Sequence, residues 1–222
     1  MPVNTFKGGQ KRRKQRKAKT VDGRQNQRIK KLEQLVIPAI ERKSIDIKAY
    51  AQGISSSGYA NQPMFQLAKG DDNNQRIGDK VTLMSHNVSM SLAAQDTTNS
   101  IRVLFIVTPS TTAMSIAQVL EYGDYTAHGD LVFSSPYKRK PPTSENTYKV
   151  LFDKVYHFKD NQRLLTDKYL LPVKKNGRQL SFNSDGSVMP ENYQLQLLAI
   201  SDSTAAGHPA ISYVVRSKYI DL

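Results

Sequence analysis

The 222-residue chain has no cysteine and no tryptophan. Without cysteine there can be no disulfide, no thiolate metal site and no cysteine nucleophile. No apolar run approaches the roughly 18 residues needed to cross a bilayer. The first residues carry no apolar h-region of a secretory signal, so the expectation is a soluble protein made in the cytosol or nucleus. Catalytic motifs are missing as well: there is no GxSxG, P-loop, GxGxxG or HExxH. The four histidines, His86, His128, His157 and His208, show no metal-ligand spacing to one another. His86 and His157 sit inside strand patterns, where a structural role is expected. Asp71 and Asp72 form a carboxylate pair, but Asn73, Asn74 and Gly78 beside them mark a turn or loop. These absences lower the case for an enzyme and leave binding and structural functions.

The most telling scarcity is of negative charge at one end. Residues 1–31 contain Lys7, Lys11, Arg12, Arg13, Lys14, Arg16, Lys17, Lys19, Arg24, Arg28, Lys30 and Lys31 against Asp22 alone. The remaining 191 residues hold twenty basic and eighteen acidic residues. The formal charge of +13 is therefore almost wholly that of the first 31 residues. Residues 1–24 have too little apolar content to offset the entropy of ordering and are expected to be disordered alone. Each lysine or arginine that meets a phosphate releases a condensed counterion, which drives salt-dependent, sequence-independent binding to nucleic acid. No aromatic follows Phe6 in this segment, so it would neutralise a backbone rather than stack on bases. A nuclear-import signal or a solubilising tail is the plainer alternative, but such signals need only five to eight residues.

Beyond the basic run, Ile29, Leu32, Val36 and Ala39 recur at a 3-4-3 spacing, which predicts a short helix over about 25–37 that Pro38 stops. Its narrow apolar stripe would be buried either on its own domain or against copies of itself. From Ser44 the pattern changes to period two. "SIDIKAYAQ", "DKVTLMSHNVSMSLAA", "SIRVLFIV", "TYKVLFDKVYHF", "DKYLLPV", "RQLSF", "NYQLQLLAI" and "AISYVVRSKYI" read as eight strands between turn-rich links. The second changes phase near Ser85, as a bulge or a strand crossing between sheets would. "SIRVLFIV" is apolar on both faces. Within this body only "TAMSIAQVLEYG" reads as helical, with Gly123 as its stop. The expected architecture is all-β, an eight-stranded antiparallel jelly roll over 44–222 behind a basic arm over 1–43.

The run "GDDNNQRIGDKVTLMSH", followed by "IRVLFIV", resembles the single jelly-roll coat proteins of satellite tobacco necrosis virus and the related capsid proteins of small circular single-stranded DNA viruses. "QVLEYGDY" and "YKVLFDKVYHF" continue the likeness in the same order, from about Glu41 to the C-terminus. The resemblance implies a capsid subunit that assembles, in about sixty copies, into an icosahedral shell around a single-stranded genome of DNA or RNA. Sixty arms would bring roughly 660 positive charges inside. It also implies an arm helix clustering with two copies through Ile29, Leu32 and Val36. Calcium at subunit contacts is a further implication, held by Glu41, Asp221 and the backbone carbonyls of Ile77 and Lys80. The ammonium of Lys80 is a departure that would oppose such a cation.

Two other readings stand beside this one. A cellular nucleic-acid-binding protein would explain the basic arm but not the nearly uncharged body. A cupin-type enzyme would need a clustered His/Glu set that the histidine spacing does not offer. The loop 134–146, "SSPYKRKPPTSEN", is long, polar and proline-bearing, as a displayed loop or a plain connection would be.

Overall fold

The computed structural model describes residues 25–32, 42–61, 63–96, 98–109, 113–138, 148–159, 162–184, 186–204 and 207–221. The chain divides into two units, 1–40 and Glu41–Leu222. In the first, residues 25–32 form helix α1. The rest of the expected 25–37 helix, with Val36, lies outside the described residues.

The second unit is an antiparallel two-sheet sandwich. Its strands are β1 (Arg42–Gly53), β2 (Tyr59–Asn61), β3 (Lys80–Ala93), β4 (Ser100–Thr108), β5 (Lys149–His157), β6 (Leu164–Leu171), β7 (Arg178–Ser181), β8 (Gln194–Ser201) and β9 (Ala210–Asp221). One sheet runs β1-β9-β3-β6, with β7 also on β3; the other runs β2-β8-β4-β5. All but two of the connections cross from one sheet to the other, which makes the chain a jelly roll.

Alternation explains most of the strands. In β1, Ile45, Ile47 and Ala49 pack on the core while Ser44, Asp46 and Lys48 are exposed. The phase change near Ser85 is a register shift of β3 against β9 between Leu83 and Ser85. The main core lies between the sheets, with Val88, Met90, Val103, Phe105, Leu197 and Val215 among its members. Strands β4 and β8 are buried on both faces because Leu104, Ile106, Leu198 and Ile200 meet a second apolar cluster on the far side. That cluster comes from the β4–β5 connection, through Met114, Ile116, Val119, Leu120, Val132 and Tyr148.

Three expectations change in detail. "RQLSF" is not an independent strand. β3 pairs with β6 through 86–93 and with β7 through 80–83, so β6 and β7 are one edge strand with an excursion over 172–177. The excursion returns at Gly177, whose φ of +81° suits glycine and whose Cβ would lie 2.5 Å from Thr82 Cγ2. The short β2, which sequence pattern does not mark, takes the eighth place. Among its described residues the β4–β5 connection holds three single turns instead of one helix: α2 (Ile116–Val119), α3 (Tyr125–His128) and α4 (Leu131–Ser134). Gly123 serves close approach rather than helix termination, since a Cβ there would sit 2.6 Å from Ala117 Cα.

Arg102 fastens that connection to the sheet. Its guanidinium donates to both Asp153 carboxylate oxygens (2.9 and 2.6 Å) and to the carbonyls of Val132 and Ser135 (2.8 and 3.0 Å). Tyr137 donates to the same carboxylate at 2.5 Å. Burial and the Asp153 carboxylate push its hydroxyl up to about 12.

Candidate nucleic-acid interface

Of the twelve arm cations, Arg28, Lys30 and Lys31 are described, on α1; Lys7 through Arg24 lie outside the described residues. Every residue of α1 is exposed, including Ile29 at 50% and Leu32 at 60%. At about 100° per residue these two share one face while Lys30 and Lys31 point elsewhere. The eight described residues of α1 span about 12 Å. Its exposed Ile29 and Leu32 are apolar surface that burial against another element would remove from water.

The loop 70–79, "GDDNNQRIGD", is organised around Arg76, which is fully buried. Its guanidinium donates to Gly78 O (2.7 Å), Asp79 Oδ1 (2.9 Å), Ser184 O (2.8 Å) and Ser187 O (2.9 Å), and lies 4.2 Å over the Phe182 ring. Hydrogen bonds from Arg76 and the charge of Lys69 hold the Asp79 carboxyl below its usual range. Asp71 and Asp72 are exposed in the turn, where Asp72 O accepts from Gln75 N at 2.9 Å. Sequence reading marked this run but missed the role of Arg76. A lone arginine amid turn residues was the available signal.

The same loop ties together the two ends of the sandwich. At the start of β1 the Lys43 ammonium donates to Gln75 O (3.2 Å) and lies 3.6 Å from Asp221 Oδ2. Ile77 N–H donates to Asp221 Oδ2 at 2.6 Å, and Tyr219 Oη–H donates to Gln75 O at 2.9 Å. The structure thus brings Asp221 and Ile77 together. Glu41 lies outside the described residues, and Lys80 is exposed on β3, paired across with Ser181. The described residues do not fit a calcium ion by themselves. Ile77 meets Asp221 through its N–H, and Lys43 already supplies a positive charge. Among the described residues no three His, Cys, Asp or Glu side chains gather around one point.

His86 is fully buried, with Nδ1 2.6 Å from Ser217 Oγ and Nε2 2.9 Å from Tyr193 Oη. Burial pushes its pKa down to about 3, so the ring is neutral and acts as a cross-brace between strands. His157 is placed by Ser100 Oγ at 3.0 Å and His208 by Ser203 Oγ at 3.2 Å. No described helix is long and apolar enough to cross a membrane.

Fold and arm together define a jelly-roll sandwich preceded by a polycationic segment. No family model matches the chain, and no curated protein matches it. Among solved structures it is similar to a chain of the T13 IBDV viral particle, at 7% identity and a TM-score of 0.26, over 82% of this chain and 40% of that one. A structure of the infectious bursal disease virus Gx strain follows, at 10% identity and a TM-score of 0.19, over 82% of this chain and 42% of that one. The chain thus spans about two fifths of the length of these viral structural neighbours.

Proposed function

We propose that this chain is a coat protein that assembles into a small icosahedral shell and packages a single-stranded genome through its N-terminal arm. One observation carries the reading: a jelly roll with sheets β1-β9-β3-β6 and β2-β8-β4-β5 follows in the chain a segment, residues 1–31, with twelve cations and one carboxylate. A tail of that charge neutralises a nucleic-acid backbone without reading its sequence. The sandwich is the part that tiles. About sixty copies, the number implied by the resemblance of "GDDNNQRIGDKVTLMSH" and its neighbours to single jelly-roll coat proteins, would close the shell. In it, the arm helix expected over 25–37 packs Ile29, Leu32 and Val36 against the same helix of two neighbouring copies.

The test is negative-stain imaging of the purified, nuclease-treated protein, with absorbance at 260 and 280 nm on the same fraction. Closed shells of one diameter holding protected nucleic acid are the expected result, and digestion of the extract then decides DNA or RNA. Small discrete particles without protected nucleic acid would overturn the packaging reading in favour of a cellular nucleic-acid-binding protein.

A further inference from the structure

Residues 42–222 hold twenty basic and sixteen acidic residues, and that excess is not evenly spread. Registers across the first sheet place Lys48, Val214, Ser89 and Lys168 in one cross-strand row, and Asp46, Arg216 and Asn87 in the next. The same alternation puts Arg42, Lys80 and Lys218 on this outward face. The face therefore has six cations and one carboxylate. The other residues of 42–222 hold fourteen basic and fifteen acidic, so the domain's whole excess of positive charge lies on one sheet surface. The single carboxylate is already bound: Arg216 grips Asp46 through Nε (2.8 Å) and a second nitrogen (2.6 Å).

The surface is also shaped. A concavity of about 950 Å³ crosses β1, β9, β3 and β6; Val214 and Tyr50 give it apolar surface, and Lys48, Lys168, Ser89, Ser91, Thr166 and Ser212 line it with polar side chains. Asp167 borders it, but that carboxylate is held by Lys154 (2.8 Å) and Tyr156 (3.1 Å). At one end stands Tyr50, 84% exposed. Lys48 and Lys168 lie three strand spacings apart, about 14 Å. A merely solvated sheet face would mix both signs of charge. Cations interleaved with small hydroxyls and an exposed aromatic match the chemistry of a phosphodiester strand: ammonium groups for phosphates, hydroxyl donors for phosphate oxygens and a ring for a base.

We propose that the outward face of the β1-β9-β3-β6 sheet is a second binding surface for the packaged single strand, with Lys48, Lys168 and Lys218 pairing its phosphates and Tyr50 stacking on a base. This rests on the coat-protein reading for the identity of the strand. It gives the sandwich a part in packaging beyond tiling, and it fixes which sheet faces the genome.

The experiment measures binding of the full chain to fluorescent oligo(dT) and oligo(U) across a salt series. In Lys48→Gln/Lys168→Gln/Lys218→Gln the slope of log K against log salt should fall by about 2, at about 0.7 per lost phosphate contact. Lys138→Gln/Lys149→Gln/Lys159→Gln removes the same charge elsewhere and should leave the slope unchanged. Tyr50→Leu should weaken binding about fivefold or more with the slope intact. An unchanged slope in the first triple, or an equal fall in the second, overturns the proposal. So does a first triple that binds normally but no longer forms shells, which would make the face a contact between subunits. Failure of the packaging reading shows in a different variant, since Lys11→Gln/Arg12→Gln/Arg13→Gln/Lys14→Gln would then bind like the wild type.

Discussion

The Lys43 ammonium lies 3.6 Å from Asp221 Oδ2, with both side chains almost fully buried, at 2% and 6% exposure. The pair joins the first strand of the sandwich to the last, where Arg42 faces Ile220 across the ladder. Its geometry is uneven: Asp221 Oδ2 also accepts from Ile77 N–H, while the buried Oδ1 has no partner among the described residues. Removing the ammonium would leave a buried, under-solvated carboxylate. The prediction is that Lys43→Met costs about 3 kcal/mol, whereas Lys43→Met/Asp221→Leu recovers most of that loss. Urea midpoints of the three proteins check it. A Lys43→Met midpoint equal to the wild type would show that the pair is not a stabilising contact.

Arg76 gives a sharper case, because five partners surround one guanidinium. Three are backbone carbonyls from two separate segments, and only Asp79 carries a countercharge. A lysine cannot reproduce a planar fork that reaches 78–79 and 184–187 at once. The expected cost of Arg76→Lys is about 3 kcal/mol or more, read as a lower urea midpoint at constant m-value. A change below about 1 kcal/mol would mean that the loop 70–79 holds its shape without the arginine.

Much of this fold was legible where one strand's own pattern decides its environment. The alternation of Ile45, Ile47 and Ala49 marks a one-sided strand, and the unbroken "IRVLFIV" marks a two-sided one, because burial writes itself into each position. The phase change at Ser85 marked an irregularity for the same reason, and the β3–β9 register shows a shift there within one sheet rather than a crossing between sheets. What remained hidden depends on partners. Tyr59–Asn61 is too short for any period to show, and "RQLSF" becomes a continuation of β6 only through the register of β3. The helical pattern after Thr112 breaks into single turns because Ile116, Val119 and Leu120 must fold down onto β4 and β8.

The candidate sites divide in the same way. The arm's charge is a property of sequence. The resemblance implied Asp221 and the Ile77 carbonyl as ligands of one cation; the structure joins the two residues through Ile77 N–H instead, and only the closed sandwich brings Lys43 beside them. On the basic sheet face, alternation shows Lys48, Arg216 and Lys218 pointing outward from their strands. Topology alone makes β1, β9, β3 and β6 neighbours.

His86 makes stability depend on pH with a definite sign. Burial holds its folded pKa near about 3, whereas the unfolded chain titrates at about 6.5. Between those values the unfolded chain binds a proton that the folded protein refuses. Stability should therefore fall as pH drops through that window, by up to about 1.4 kcal/mol per unit, with no contribution from this ring above it. His86→Gln removes the titration, so its stability should decline less steeply than the wild type between about pH 6.5 and 4. Parallel curves from urea titrations across that range would show that the ring is not kept neutral by the fold.

Deletion of the arm tests the proposed packaging role apart from folding. Among the described residues, the two apolar clusters of the sandwich draw their members from Ile45 onward. Deleting residues 1–24 should thus leave the melting temperature of the shell domain unchanged while abolishing protected nucleic acid. Leu32→Asp/Val36→Asp makes a second, independent demand. It leaves the arm cations in place but puts carboxylates on the stripe, so particle yield should drop while the sandwich melts normally. Normal shells with normal genome content from that variant would rule out a helix cluster through Ile29, Leu32 and Val36. An unfolded body after deletion of 1–24 would instead mean that the arm contributes to the core, and the tether reading would fall with it.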